Sequence, residues 1–266
     1  MEIIEEVTSY QTLDGASITT FVARPDDADQ HPGIVLIHEI WGLNEQIRGV
    51  ARRYAKEGYV VVAPHLFSRH EELTEDAIRN AMGPVFSIPQ EKRRDPDAMA
   101  EVMESMDEAS RAVVQILFVD REALMEGMAQ DVPGAYDFIK SMDCVIGDKI
   151  GVTGFCMGGG LAFQVATALP FAAAFIFYGQ APTPIESVAN LSGPVFVVYA
   201  GEDMMLNNGI PALIHTMLEN KKTYGLKIYA NMQHGFFNEY GRMYDQASAD
   251  DAWQLAIAHF DRYLKA

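Results

Sequence analysis

Lys149-Ile150-Gly151-Val152-Thr153-Gly154-Phe155-Cys156-Met157-Gly158-Gly159-Gly160-Leu161-Ala162 is the stretch that decides how the chain is read. Its first five residues are a short β-branched run of strand character. After Cys156 the residues are small and then helix-forming. A strand, a sharp turn and a helix therefore meet at one sulfur. Gly154 and Gly158 flank Cys156 at two residues on either side, so neighbouring backbones can pass close to the turn. The pattern reads as a nucleophile elbow with cysteine in the place of the usual serine. The competing reading is a buried structural cysteine, a common fate of the free thiol.

Moving outward, apolar runs and helical periods alternate. Residues 16–24 have strand character and end at Pro25. Gly33-Ile34-Val35-Leu36-Ile37-His38 and Gly58-Tyr59-Val60-Val61-Val62-Ala63-Pro64 are continuous apolar runs, as expected of strands covered on both faces. Between them 44–57 repeats Ile47, Val50, Ala51 and Tyr54 at helical spacing, with Asn44 placed to cap it. Further strands are expected at 172–178, 194–200 and 226–230, with helices at 210–221 and 243–264. Asp131-Val132-Pro133 reads as a helix start, a capping acid followed by proline in the first turn, leading into 134–142. The segment 67–130 breaks the rhythm. It is charged, rich in methionine and helical in pattern, with Met99, Met103 and Met106 at helical spacing. They read as core-facing residues, or as a pliable apolar wall over a site. The expectation is an α/β fold over 1–266 as a single domain. It has a mostly parallel sheet of about seven or eight strands, helices on both faces, and a helical insertion or lid around 67–130.

Composition narrows the functional classes. The 266 residues carry a formal charge of −17, without a basic stripe, which argues against nucleic acid and anionic membranes as partners. No apolar run approaches the roughly 20 residues that span a bilayer. The start, Met1-Glu2-Ile3-Ile4-Glu5-Glu6, lacks the basic and apolar stretches of a secretion signal. Two cysteines, Cys144 and Cys156, give no disulfide framework, which suits a reducing, cytoplasmic setting.

A cysteine at an elbow needs a base, an acid to orient it and an oxyanion site. In such sheets the order along the chain is nucleophile, acid, histidine. The 194–200 strand runs into Gly201-Glu202-Asp203, and the 226–230 strand into Asn231-Met232-Gln233-His234-Gly235. Asp203 and His234 thus fall at carboxyl ends of strands, where an open parallel sheet places its site. Asp203 is also a candidate helix cap, and Glu202 is adjacent. His215 and His259 sit in helical patterns, His31 in a polar loop, and His65 and His70 precede the acid. His234 is the histidine that satisfies the order.

At this point the chain resembles the dienelactone hydrolase family. The resemblance rests on His38-Glu39-Ile40-Trp41-Gly42-Leu43-Asn44, Gly58-Tyr59 with Ala63-Pro64, Gly154-Phe155-Cys156-Met157-Gly158-Gly159, Gly201-Glu202-Asp203 and His234-Gly235-Phe236. It implies an α/β-hydrolase fold, a Cys156–His234–Asp203 triad, and hydrolysis of an enol-lactone or related ester through a thioester on Cys156. It also implies that Glu39 lies near the resting thiol and helps deprotonate it once substrate binds. An ordinary cap or an ion pair with Arg48 is the other reading of Glu39. The oxyanion site is expected from the backbone N–H of Met157 and, in the loop after His38, of Ile40.

Substrate contacts are less defined. The resemblance implies arginines holding a substrate carboxylate, one of them four residues after the histidine, where this chain has Asn238; Gly235 replaces the usual serine. Arg69, Arg93 and Arg94 are the remaining basic candidates, the last two with the reading of solvated surface charges. Trp41 can stack on a planar ring or pack beneath the loop. The candidate substrate contacts are therefore Trp41, Arg69, Arg93, Phe236 and Asn238. No metal or organic cofactor is expected, the partner is a small lactone or ester, and the chain is a monomer or homodimer. A broader carboxylesterase or thioesterase and a catalytically silent ligand-binding protein are the alternatives.

Overall fold

Among the described residues, eight strands pair into one sheet: β1 (Ile3–Gln11), β2 (Ser17–Pro25), β3 (His31–Ile37), β4 (Val60–Pro64), β5 (Val145–Phe155), β6 (Ala173–Phe177), β7 (Val195–Ala200) and β8 (Tyr224–Tyr229). The structure is a computed structural model that describes residues 1–89, 92, 93 and 95–266. The strand order is β1-β2-β4-β3-β5-β6-β7-β8. The β1–β2 and β2–β4 pairs are antiparallel, and every pair from β4 to β8 is parallel.

Period-two alternation sends successive side chains to opposite faces. Ile34 and Leu36 of β3, with Val61 and Ala63 of β4, join the core against α1 (Glu45–Lys56) and α9 (Gln246–Leu264). Val35, Ile37, Val60 and Val62 face the other core, under α5 (Arg121–Lys140), α6 (Met157–Ala166) and α8 (Ile210–Glu219). Both faces are therefore covered, which is why these strands read as continuous apolar runs. Asn44 caps α1 by accepting from the Ile47 N–H.

The central segment folds as α2 (Glu75–Ser87), α3 (Pro96–Glu104), α4 (Glu108–Val114) and a π-helical turn (Gln115–Val119) that leads into α5. Thr74, Asp95 and Asp107 cap the first three helices through their side chains. Met99 and Met106 are buried and Met103 packs against the same core, the first of the two readings of that stripe. No helix among the described residues is long and apolar enough to cross a membrane.

One strand forms where none was expected, and one local expectation is corrected. The stretch Ile3–Gln11 forms β1, an edge strand in nine-residue register with β2 from Ile3↔Pro25 to Gln11↔Ser17. Its mostly exposed residues, with Glu5 and Glu6 among them, hide it, because an edge strand is held by backbone pairing more than by burial. Asp131-Val132-Pro133 does not start a helix; α5 runs from Arg121 through Pro133. The Asp131 carboxylate is buried against Arg69 instead of capping.

Candidate active site

The sheet reverses direction of growth between β3 and β5. From β3 the chain proceeds to β4 on one side, and from β5 to β6 on the other. Carboxyl ends at such a switch point form a crevice that loops do not fill. Register sets Ile37 of β3 level with Gly154 of β5, so the His38-Glu39 step and Cys156 emerge side by side. Cys156 stands between β5 and α6 with φ 55° and ψ −118°, a left-handed backbone rarely taken by a side-chain-bearing residue. Its N–H is held by Phe177 O at 3.0 Å. Such strain persists only where the surroundings fix it. A Cβ on Gly154 would come within 2.2 Å of Gly158 O, and one on Gly158 within 2.2 Å of His38 O, so the turn needs both glycines for closeness.

Cys156, His234 and Asp203 come together. His234 Nε2 lies 2.9 Å from Cys156 Sγ, and His234 Nδ1 lies 2.5 Å from Asp203 Oδ2. Asp203 is 2 % exposed, its neighbour Glu202 is exposed, and Asp203 makes no capping bond to the short helix α7 (Met204–Asn207). The side chain serves the imidazole, not the helix. Burial pulls the His234 imidazole down. The negative charge of Cys156 and the bond to Asp203 outweigh it and hold the ring well above the ordinary histidine value. Cys156 also sits at the amino end of α6. Such a row can pass a proton between sulfur and imidazole while the carboxylate fixes the ring.

Glu39 is buried, and its carboxylate is hydrogen-bonded by two side chains from distant parts of the chain. Oε2 accepts from Asn238 Nδ2 at 2.6 Å and Oε1 from Tyr178 OH at 3.2 Å. The sulfur is bonded to His234. The printed hydrogen bonds of the carboxylate thus run to Asn238 and Tyr178, and Tyr178 feels the charges of both Glu39 and Cys156. Burial pushes the Glu39 carboxyl above its ordinary value, and the Asn238 amide, His234 and the Tyr178 hydroxyl pull it partly back. Burial, then the charges of Glu39 and Cys156, keep the Tyr178 hydroxyl protonated, so it donates. Tyr178 was legible only as the end of a strand. It also takes a positive φ of 38° and sets its ring edge-on to His234, with centroids 5.0 Å apart.

Met157 opens α6, where first-turn N–H groups have no partner within the helix. Ile40 follows Glu39 in a turn closed by Gly42 N–H to Glu39 O at 3.1 Å. Trp41 is half-buried and stands edge-on to Phe86 of α2, with centroids 5.6 Å apart. Arg93 lies over that same Phe86 ring at 4.9 Å and donates to Phe86 O and Ile88 O. Arg69 makes a two-pronged pair with buried Asp131, Nη2–Oδ1 2.6 Å and Nε–Oδ2 3.1 Å, and a second pair with Asp14. Phe236 is a correction. The ring is fully buried between Tyr178 and Tyr229 and offers no surface to a substrate, since Gly235, at φ +86°, turns the chain inward. Asn238 is likewise buried and spends its amide on Glu39. Arg94 lies outside the described residues. Among the described residues no group of three or more His, Cys, Asp and Glu side chains is arranged to hold a metal.

A mostly parallel sheet with helices on both faces, a strained cysteine at its switch point, and an acid and a histidine past its last two strand ends define the α/β-hydrolase fold. Residues 18–264 match the model of the dienelactone hydrolase family, and the chain belongs to that family of ester-bond hydrolases. A Saccharolobus solfataricus protein named "Putative carboxymethylenebutenolidase" is 43% identical over 257 residues, covering 96% of this chain and 98% of its own. Protein usf of Aquifex pyrophilus is 28% identical, with 94% and 95% covered. In structure, a dienelactone hydrolase from Anabaena variabilis aligns with a TM-score of 0.63 at 17% identity over 99% of this chain and all of its own, a likeness of fold.

Proposed function

We propose that the protein hydrolyses enol-lactones and related activated esters by acylating Cys156. The 2.9 Å contact between Cys156 Sγ and His234 Nε2 carries this reading. The thiolate adds to the substrate carbonyl carbon, and the N–H groups of Met157 and Ile40 hold the resulting oxyanion. The carbonyl re-forms as the C–O bond to the leaving group breaks. The electron pair leaves on the enolate oxygen, and the His234 imidazolium supplies its proton. The neutral imidazole then takes a proton from water, which attacks the thioester and releases the acid and the thiolate. Asp203 fixes the ring and stabilises its charged form. An enol is a good leaving group because its oxyanion is conjugated. A thiol nucleophile therefore suits such esters better than amides.

A broader esterase or thioesterase acting on uncharged substrates is the second reading. It is favoured by the engagement of Asn238, Arg69 and Arg93 with other groups of the protein. A panel of enol-lactones with and without a carboxylate, p-nitrophenyl esters and acyl thioesters separates the two. The test of the nucleophile is Cys156→Ala, expected to abolish turnover of the whole panel while the fold is kept. Wild-type-like turnover would refute the assignment. Iodoacetamide should label Cys156 and be blocked by substrate. Cys144, whose thiol is pushed up mainly by burial, should react slowly and be indifferent to substrate.

A further inference from the structure

The ring of His38, which the reaction above does not use, is 1 % exposed and bonded at both nitrogens. Nε2 lies 3.1 Å from the Leu66 N and Nδ1 2.7 Å from Glu39 O. The Leu66 N–H donates, so Nε2 is the acceptor and carries no proton. The proton is therefore on Nδ1, which donates to the Glu39 carbonyl. Burial pushes the imidazole down to about 3, so this neutral form holds across ordinary working pH. The Phe67 ring meets the imidazole edge-on at 4.7 Å and leaves it little room to turn.

The consequence falls on the next peptide. A trans peptide is planar, with its C=O and N–H pointing in opposite directions. The Glu39 carbonyl is pinned by two donors, His38 Nδ1 and the Gly42 N–H. The Ile40 N–H is in the same plane and must point the other way. Gly158 brings the first turn of α6 against the His38 carbonyl, which sets this fixed peptide beside the amino end of the helix that Met157 opens.

We propose that His38 is a positioning residue of the hydrolytic reaction: its Nδ1–H, braced by the Leu66 N–H at Nε2, locks the Glu39–Ile40 peptide so that the Ile40 N–H is aimed at the developing oxyanion. The inference rests on the acyl-transfer reading of Cys156. It assigns the ring a part in the transition state and none in proton transfer.

The test compares His38→Asn with His38→Gln. Asparagine places an amide donor where Nδ1 stands; glutamine places its amide near Nε2 and leaves the Glu39 carbonyl without the ring's bond. Three quantities are read on purified full-length protein: kcat and KM for p-nitrophenyl acetate, the rate of Cys156 alkylation by iodoacetamide, and the melting temperature. Alkylation is displacement at a saturated carbon and forms no oxyanion. His38→Gln is expected to lose about 10²-fold in kcat, the scale of a displaced or missing oxyanion donor, with KM and alkylation within about twofold. His38→Asn is expected to recover most of that loss. Equal kcat in His38→Gln and wild type overturns the proposal. So does alkylation that falls in step with hydrolysis in both variants, since that reports general damage to the site. Wild-type-like turnover by Cys156→Ala would instead strike the nucleophile assignment, and this inference with it.

Discussion

Asn238 Nδ2 stands 2.6 Å from Glu39 Oε2, a bond between residues 199 apart in the chain that ties the histidine loop to the end of β3. The donor is neutral, so it satisfies the carboxylate without cancelling its charge. Glu39 has its folded pKa raised, mainly by burial. On its account stability is full below the unfolded carboxyl value and is lost as pH rises through the raised one. The amide limits that loss by favouring the ionised form. Asn238→Ala should therefore raise the Glu39 pKa further and deepen the loss at high pH. We expect destabilisation of about 2 kcal/mol at pH 8, the scale of a hydrogen bond to a charge, and clearly less at pH 5. Urea denaturation at the two pH values measures it; equal losses would show that the bond is not to a titrating carboxylate.

Arg69 and Asp131 make a second long-range pair, with unequal exposure: 32% for the arginine side chain and 1% for the aspartate. The arginine therefore has water and Asp14 to fall back on, and the aspartate has neither to the same degree. Arg69→Leu, which strands the buried carboxylate, should cost about 2–3 kcal/mol, at or below the bottom of the range for a broken buried pair because the guanidinium is partly solvated. Asp131→Asn should cost about 1 kcal/mol, as an ordinary hydrogen bond. Neither should change KM for a neutral ester. A KM raised fivefold or more in Arg69→Leu would return that residue to the substrate site.

What was legible in the sequence followed from local rules. The β3 and β4 runs, the Asn44 cap and the Gly154–Gly158 elbow each depend on residues within a few positions, and each stands where the pattern placed it. Cys156, Asp203 and His234 were readable because each follows the carboxyl end of a strand, where an open parallel sheet places its site. What failed depended on partners far along the chain. Asp131 has the signature of a cap, but Arg69, 62 residues away, claims its carboxylate. Glu39 was placed at the site, yet its bonds to Asn238 and Tyr178 are set by packing across the sheet. Phe236 sits two residues from His234, and only the turn at Gly235 decides that its ring goes inward.

Two glycines in α6 allow a sharp contrast. A methyl group at Gly158 would meet the His38 carbonyl at 2.2 Å, a backbone atom that cannot swing aside. Relief requires the elbow and the Glu39–Ile40 turn to move apart by the order of an ångström. Gly158→Ala should thus lose at least about 10²-fold in kcat, the cost of a misplaced reacting geometry, and melt earlier. At Gly160 the same methyl meets Gln180 N at 3.4 Å, an ordinary contact. Alanine there gains helix propensity, so Gly160→Ala should keep its activity and gain about 0.5–1 kcal/mol. Kinetics and thermal melts of the pair decide it. If Gly158→Ala turns over like wild type, the close approach of β3 and α6 does not set the oxyanion geometry.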